Sequence, residues 1–439
     1  MVGEGKVTSQ AFQRLDTGDA LTVDYDEANP LGSGSQGTVY PVQRLRIAGS
    51  DGHPATLLIK VYNRTKDPAQ IDRIKQFCQH LNSVAHIRVR SLLALPTFPV
   101  LSASGDLAVF MDRAPGEPFD RTTVTDQLLG TTLSERLNLA WQLAEAIRKL
   151  HDNDIVHADI TRDNVVIHVK NHALYVIDVD GGGILRKGGF AVRVPSFVRY
   201  KYGMDACPPE LFADPAREPT QGSDRWALAV LIFSLLTASP WRQGLTPFQI
   251  YQDGQIQLLY NSPQFHPWPQ AHLAGPYWKA TSATGRTNYE ELLSCLGAFG
   301  RPVEEQFQSA FGPGRLAPEI RPAAKVWEDV LEQALRWVFR CTCGAEFVAA
   351  GHELCLRCRR AVRHATWEYA GRQTLILEDT RILPDTRAER TLGGAYVIRA
   401  IDGRATINGA RQTPELRSGR HQVEVVRSGR RFRGAIIIP

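Results

Sequence analysis

The chain has 439 residues, enough to bury a large core and to form two or three domains. Its hydrophobic share of 43% is ordinary for a globular protein, and its net charge is +5 at pH 7. The start has no apolar signal segment, and the longest apolar run, Trp226 to Thr237, is shorter than the roughly 20 residues that span a bilayer. We therefore expect a cytoplasmic protein with no membrane span, in which this run forms a buried helix.

Positive charge and cysteine are both unevenly distributed along the chain. From Leu335 onward there are 19 Arg and no Lys against ten Asp and Glu, so the C-terminal part is basic. Four of the seven cysteines fall within eighteen residues, beginning at Cys341. An odd total with one tight cluster indicates a metal site in a reducing compartment and not a disulfide framework.

Residues 1 to about 20 have no strong period, and we expect a loose lead-in. Three glycines in Gly-x-Gly-x-x-Gly order then stand between strand-forming residues; they are Gly32, Gly34 and Gly37. Glycine allows a backbone to approach phosphates closely, although a turn without a ligand fits so short a motif about as well. The loop continues as strand at Thr38 to Val42, whereas a dinucleotide-binding loop would lead into a helix.

A single lysine lies within the next apolar β-run, Ala55 to Tyr62. Lys60 would be costly to bury unless an anion pairs with it, so phosphate is a natural partner. The alternative is an edge-strand lysine whose amino group reaches water.

Three further elements follow from periodicity. A helical period covers Pro68 to Val84, a strand covers Leu107 to Met111, and an amphipathic helix covers Leu133 to His151. A helical pattern also surrounds Glu290 to Leu296, in a long insertion that we interpret mainly as packing, with docking of a partner as the alternative.

The stretch from Ile155 to Gly181 carries the strongest chemical signal. Asp159 and Asn164 stand five residues apart in a turn, and Asp178 lies on the next hairpin. Hard oxygen ligands for a metal, together with a base for an incoming hydroxyl, suit a Mg-nucleotide.

In this order the motifs resemble the eukaryotic-type protein kinase family over roughly residues 20 to 335. The resemblance implies an α+β, bilobal fold with an N-lobe at 21–114 and a C-lobe at 115–335. It implies transfer of the γ-phosphoryl group of ATP, with Mg²⁺, to Ser or Thr of a protein substrate.

The resemblance also assigns roles to residues. Asp159 matches the catalytic base, Asn164 and Asp178 match the Mg²⁺ ligands, Lys60 matches the phosphate-binding lysine, and Arg162 would assist. The nucleotide would contact Gly32, Ser33, Gly34, Gly37, Val39, Lys60, Met111 and Arg113.

Two long-range structural contacts are implied as well. Glu210, in Pro-Pro-Glu, looks like the end of the activation segment, and Arg321 resembles the late arginine that pairs with it. Asp224 resembles the aspartate that braces the catalytic loop.

Several positions depart from the family pattern. Ala158 replaces the arginine that receives an activation-loop phosphate, so activity should not depend on that phosphorylation. Leu58 replaces a small residue above the adenine. Asp180 replaces a glycine, and it would either add metal affinity or stiffen the segment.

The helix at Pro68 to Val84 has no glutamate for Lys60. Either Asp72 reaches further than usual, or Asp178 alone holds the lysine. A nucleotide-binding pseudokinase scaffold is therefore an alternative function.

Residues 336–364 resemble a zinc ribbon. Cys341, Cys343, Cys355 and Cys358 suit tetrahedral, structural Zn²⁺. The first pair has one spacer residue where two are usual, so His352 or His364 could substitute for a cysteine.

Residues 365–439 contain short β-runs and resemble a PEGA-like β module. The runs are Gln373 to Leu377, Ala395 to Ala400, Ala405 to Asn408, His421 to Val426 and Gly434 to Ile438. The tail's arginines suit a solvated face, with a nucleic-acid-binding regulator as the alternative function. The whole arrangement resembles the kinase of bacterial phosphorylation triads, which implies a PP2C-type phosphatase and a von Willebrand A-domain protein as partners.

Overall fold

The computed structural model of the chain describes most of the sequence in separate ranges. These are residues 7–34, 36–47, 50–52, 56–63, 67–84, 92–186, 189–193, 206–214, 216–236, 249–252, 255–258, 297–376, 380–383, 386–391, 395–400, 405–409, 415–427 and 430–439. The predicted helix at Glu290 to Leu296 lies outside them. None of the helices in these ranges combines the length and the apolar content needed to cross a membrane.

An eight-stranded antiparallel sheet forms the N-terminal lobe. Its strands are β1 (Val7–Arg14), β2 (Ala20–Asp26), β3 (Gly32–Ser33), β4 (Gly37–Ile47), β5 (Ser50–Gly52), β6 (Leu57–Tyr62), β7 (Pro96–Ser102) and β8 (Leu107–Asp112). They run in the order β2-β1-β7-β8-β6-β4-β3, and β5 pairs with β4. Because β2 also pairs with β4, six of the strands close into a ring.

The expected loose lead-in is wrong for residues 7–14. Strand β1 pairs with β2 from Val7 to Gln13 and with β7 through Phe12 to Arg14. Phe12 is its one buried apolar side chain, whereas most of its other residues are polar. A strand with so little apolar alternation has no visible period, and its place in the ring depends on its neighbours.

Side chains alternate along β6 between two cores. Ile59 points into the ring, where it packs with Val23 and Phe110. Leu58 and Tyr62 point the other way, towards helix α1 (Pro68–Ser83), whose Ile74 and Cys78 cover that face. Lys60 shares the outer face because it lies two residues from each of them. The strand thus directs the lysine to the boundary between the lobes.

Helices build the C-terminal lobe. They are α2 (Thr122–Leu129), α3 (Leu133–His151), α4 (Pro209–Ala213), α5 (Gln221–Leu236), α6 (Arg301–Phe311) and α7 (Ala324–Arg336). Helix α3 packs against both α5 and α7, and it starts with a capping box between Thr132 and Glu135. Helix α5 is buried almost all round, as its continuous apolar run predicts.

Short strands carry the catalytic part of this lobe. They are β9 (Glu117–Pro118), β10 (Ile155–Val156), β11 (Val165–His168), β12 (Ala173–Val176), β13 (Gly183–Arg186) and β14 (Gly189–Val192). The loop between β10 and β11 and the segment after β12 hold the candidate catalytic residues. Strand pairs β11–β12 and β10–β13 fix both loops on the same side of the lobe. A separate hairpin consists of β15 (Gln249–Gln252) and β16 (Gln255–Leu258).

From Val338 onward, the described residues form β-strands and the turns and loops between them. A hairpin of β17 (Val338–Arg340) and β18 (Glu346–Val348) precedes five strands in the order β20-β19-β26-β25-β24 and three in the order β21-β22-β23. These strands are β19 (Thr366–Tyr369), β20 (Arg372–Leu375), β21 (Thr380–Leu383), β22 (Thr386–Arg390), β23 (Tyr396–Ala400), β24 (Ala405–Ile407), β25 (Gly419–Arg427) and β26 (Arg430–Ile438). All five predicted β-runs overlap observed strands, and sequence reasoning missed β19, β21 and β22.

Candidate active site

A cavity of about 300 Å³ lies between the two lobes. Residues of the glycine loop, β6, the segment after β8 and the hairpin β11–β12 line it. All eight residues predicted to contact the nucleotide are among them: Gly32, Ser33, Gly34, Gly37, Val39, Lys60, Met111 and Arg113. Leu58, Asn164 and Asp178 line it too. Its size falls at the lower end of the range typical of small-molecule sites.

One glycine of the loop is required by packing. A Cβ on Gly37 would lie 2.3 Å from the carbonyl oxygen of Val61 on the neighbouring strand. A Cβ on Gly32 or Gly34 would meet nothing within 4 Å. The first two glycines therefore leave open space above the cavity, whereas the third allows β4 to approach β6.

Asp224 holds the loop that carries Asp159. Its carboxylate accepts hydrogen bonds from the backbone N–H groups of His157 (2.8 Å) and Ala158 (3.0 Å). Asp224 is fully buried, and His151 Nε2 lies 3.1 Å from it. The predicted brace is confirmed.

Asp159 and Asn164 contact each other across this loop. Asn164 Nδ2 donates to the backbone oxygen (2.9 Å) and to the carboxylate (3.0 Å) of Asp159. Both hydrogen bonds come from the amino group of the Asn164 amide. The amide oxygen of Asn164 is therefore the atom that would bind a cation.

Left-handed backbone occurs at two positions beside the carboxylates. Ala158, directly before Asp159, has φ of 65°, and Asp178 has φ of 61°. Such a conformation is unfavourable for a residue with a Cβ and persists where surrounding contacts hold it. Here the Asp224 brace and the bond from Lys60 to Asp178 supply those contacts.

Lys60 is 3% exposed and is surrounded by oxygen atoms. Its Nζ bonds to the carboxylate of Asp178, to Asp180 Oδ2 at 2.8 Å and to Gln36 Oε1 at 3.1 Å. The Tyr62 hydroxyl donates to the same oxygen of Asp180. A buried ammonium with this set of partners is satisfied electrostatically.

The ionisation of this cluster follows from these contacts. Burial alone would lower the pKa of Lys60, but the two carboxylates raise it to about 12. Burial would likewise raise the pKa of Asp180, but Lys60 holds that pKa below its ordinary value. Burial and the neighbouring Asp180 raise the pKa of Tyr62 well above normal. At neutral pH Lys60 is therefore an ammonium, Asp180 a carboxylate and Tyr62 a neutral phenol.

Neither expected way of replacing the helix glutamate is correct. Asp72 is exposed and accepts a hydrogen bond from Gln76 at 2.6 Å, so it faces away from Lys60. Nor does Asp178 act alone, since Asp180 binds the lysine as well. Sequence reasoning also missed Gln36, Tyr62 and Arg73. A signal existed for Tyr62, which is two residues from Lys60 and so shares its face of the strand.

Arg162 is directed into the C-terminal lobe. Its guanidinium carbon lies 5.4 Å from the centre of the Phe119 ring, and it donates to Ser234 Oγ at 3.4 Å. It is not among the residues that line the cavity. These contacts do not support the expectation that Arg162 assists at the phosphates, which stays a prediction.

Residues 25–295 match the family model described as protein kinase domain. The chain belongs to this family. The match covers more than half of the chain, and this part has the α+β, bilobal fold of a protein kinase domain.

Relatives of this kinase domain carry kinase names, and one of the three that follow is named a serine/threonine-protein kinase. The chain is 26% identical over 243 residues to human mitogen-activated protein kinase kinase kinase 6, a match that covers 53% of this chain and 17% of that protein. It is 29% identical over 265 residues to mouse serine/threonine-protein kinase SBK2, covering 56% and 64%. It is 24% identical over 327 residues to the human phosphorylase b kinase gamma catalytic chain, liver/testis isoform, covering 69% and 71%. The chain thus spans less than two thirds of the first two relatives.

Four thiols meet in the cysteine module, which we define as residues 338–362. The sulfurs of Cys341, Cys343, Cys355 and Cys358 all lie within 4.8 Å of one another. Ideal tetrahedral Zn–S bonds of about 2.3 Å would separate the sulfurs by about 3.8 Å. Two observed separations are 3.5 Å, between Cys341 and Cys358, and 3.8 Å, between Cys343 and Cys355. The residues fit a Zn²⁺ ion.

His352 and His364 are not part of the cluster of possible metal ligands, which consists of the four cysteines. His364 Nε2 donates to the backbone oxygen of His352 at 2.6 Å. The single-residue spacing of the first cysteine pair is accommodated by Gly344, which has φ of 84° and donates to the carbonyl of Cys341.

Several arginines of the basic tail have acidic partners on the sheet surface. Arg420 binds both carboxylate oxygens of Glu368, at 2.9 and 3.0 Å. Arg433 pairs with Glu424 and Arg399 with Glu389. These pairs favour the solvated-face interpretation of the tail over a nucleic-acid surface.

Proposed function

We propose that the protein is a Ser/Thr protein kinase that uses ATP and Mg²⁺. The observation that carries this proposal is the convergence of Lys60, Asn164 and Asp178 on one interlobe cavity beneath the glycine loop. Relatives named as protein kinases support the choice of a protein acceptor over a small molecule, and the name of one of them supports Ser/Thr.

The chemistry of each side chain indicates its proposed role. Lys60 and the glycine loop would bind the phosphates, because a buried ammonium suits anions and glycines without a Cβ let phosphates approach the backbone closely. Asp178 and Asn164 present oxygen atoms and would hold Mg²⁺, which offsets phosphate charge when it is bound. Asp159 would orient the acceptor hydroxyl and take its proton. Arg162 has no part in this proposal, because it contacts Phe119 and Ser234.

Two contacts that hold the site are made within the chain itself. Lys60 already contacts Asp178 in the protein as it stands, and Asp224 already holds the loop of Asp159. With Ala158 in place of an arginine, phosphorylation of the activation segment would add no contact here. Activity without prior phosphorylation follows from the proposal.

Transfer of labelled γ-phosphate from MgATP tests the function. Wild type would label itself or a generic basic protein, and Asp159→Asn would abolish the incorporation. ATP binding without any transfer by the wild type would instead indicate a pseudokinase scaffold. Arg301→Gln, on an exposed helix surface, serves as the matched control.

We further propose that the cysteine module, within the ribbon expected at 336–364, holds structural Zn²⁺, and that residues 365–439 form a PEGA-like β domain for binding or spacing. Elemental analysis of the purified chain tests the metal. A PP2C-type phosphatase and a von Willebrand A-domain protein are the proposed partners in a bacterial, cytoplasmic setting, and co-purification tests them.

A further inference from the structure

The carboxylates that bind Lys60 both belong to one short segment of the chain. Asp178 and Asp180 flank Val179, and both contact the ammonium. Helix α1 covers this region but supplies no carboxylate to the lysine, since its one acidic residue, Asp72, is exposed. The carboxylates that neutralise Lys60 therefore both lie in the segment 178–180, which also carries the proposed Mg²⁺ ligand Asp178. We call it the metal-binding segment.

The two aspartates differ in where they point. The side chain of Asp178 is 27% exposed and lines the cavity, whereas that of Asp180 is 1% exposed and does not. Asp180 Oδ2 accepts from both Lys60 and Tyr62. Its position is thus behind the lysine, away from the space in which a nucleotide and its metal would lie.

Helix α1 contributes a cation to this region. Arg73 donates to the backbone oxygens of Asp180 (2.8 Å) and Gly182 (3.2 Å). Burial lowers the pKa of Arg73 below its ordinary value. In the family pattern the helix supplies an anion and the segment a glycine; here the helix supplies Arg73 and the segment supplies Asp180. The negative charge thus lies in the segment instead of the helix, and the helix carries a positive charge.

We propose that Asp180 is the positioning residue that holds Lys60 for phosphate binding, and that Arg73 fastens helix α1 to the segment that carries Asp178. This inference rests on the proposed function and deepens it. The helix and the metal-binding segment then move as one unit, because the guanidinium ties two backbone carbonyls to α1. Asp180 acts through Lys60 and does not touch the substrates.

Asp180→Asn is the first test, because it keeps the volume and removes the charge. Loss of the lysine's position should lower kcat/KM for ATP on the order of a hundredfold. The Mg²⁺ concentration that gives half-maximal rate should stay the same, whereas a metal-binding role would raise it. Asp72→Asn, on the exposed side of α1, is the matched control and should leave both values unchanged.

Arg73→Met tests the second part of the proposal, because it keeps much of the side chain's length and removes the two hydrogen bonds to the segment. If Arg73 fastens α1 to the segment that carries Asp178, the variant should lower kcat/KM for ATP on the order of tenfold. Unchanged kinetics in a folded Arg73→Met would overturn the role of Arg73.

Tyr62→Phe tests the role of Asp180 if the Asp180→Asn variant does not fold. It removes one hydrogen bond from Asp180 and leaves the carboxylate in place, so a loss of about fivefold in kcat/KM is expected. Unchanged kinetics in this variant, or in a folded Asp180→Asn, would contradict the proposal while leaving the kinase function standing.

Calorimetric titration with MgATP separates this proposal from the proposed function. If wild type transfers no phosphate, the kinase function fails, and the affinities of wild type, Asp180→Asn and Asp72→Asn decide the role of Asp180. Weaker binding confined to Asp180→Asn would support it, and equal affinities would overturn it. No MgATP binding by wild type would overturn both.

Discussion

Glu210 and Arg321, 111 residues apart in sequence, form a buried ion pair with two hydrogen bonds, of 2.8 and 2.6 Å. Arg321 is 1% exposed, and its remaining donors reach the backbone oxygens of Gly314 and Gly222. This confirms the pair that the sequence predicts. It links the end of the activation segment to the turn that precedes α7.

Removal of the arginine should destabilise the C-terminal lobe. Arg321→Met would leave the Glu210 carboxylate buried without its partner, so we expect the free energy of unfolding to fall by about 3–5 kcal/mol. Urea unfolding followed by circular dichroism measures this. Arg301→Met, which breaks an exposed pair with Glu305, should change stability by less than about 0.5 kcal/mol. Equal effects in the two variants would contradict the role assigned to the buried pair.

The same pair predicts a pH dependence of stability. Burial alone would raise the pKa of Glu210, but its hydrogen bond and charge interaction with Arg321 hold the pKa below its ordinary value. The folded protein therefore binds this proton less readily than the unfolded chain. The stabilisation is fully present above the unfolded pKa of about 4.3 and is lost as the pH falls through the folded pKa.

Unfolding in urea at a series of pH values from neutral to acidic measures this loss. In Glu210→Gln the dependence of stability on pH over the acidic range should be weaker than in wild type. An identical slope in the two proteins would show that Glu210 does not contribute to it.

Loss of the loop brace should affect turnover more than nucleotide binding. In Asp224→Asn one acceptor oxygen becomes an amino group, so the N–H of His157 or of Ala158 loses its partner. The loop of Asp159 would shift, and we expect kcat to fall at least on the order of tenfold. The affinity for MgATP should change little, because Asp224 does not line the cavity. Asp329→Asn, on the exposed surface of α7, is the control.

Removal of the metal should destabilise the kinase domain as well as the cysteine module. Glu346 Oε2 accepts the N–H of Leu133 at the start of α3 (2.7 Å), and a Cβ on Gly300 would lie 2.9 Å from Val348. A chelator that removes Zn²⁺, or Cys343→Ser, should therefore lower the midpoint of thermal unfolding of the kinase domain as well. Cys207→Ser, outside the cluster, should keep one Zn²⁺ per chain. An unchanged midpoint after complete loss of metal would exclude this coupling.

The amino-acid sequence determined the order and the local form of the site. Period and spacing are properties of neighbouring residues, so strand β6, helices α1 and α3 and the turn of Asp159 and Asn164 could be predicted without the fold. The pair of Glu210 and Arg321 was also predictable, because the resemblance of several motifs to the protein kinase family implies it. Four cysteines at close spacing likewise identified their own cluster.

Only the tertiary structure decided which groups neutralise Lys60. The lysine and Asp180 are 120 residues apart, and the choice between Asp72, Asp178 and Asp180 depends on how α1 is rotated and on where the chain runs after β12. The same holds for β1, whose polar side chains carry no period of their own. A partner that is selected by burial and by the meeting of distant segments cannot be read from local spacing, because its energy arises only when water is excluded from the assembled site.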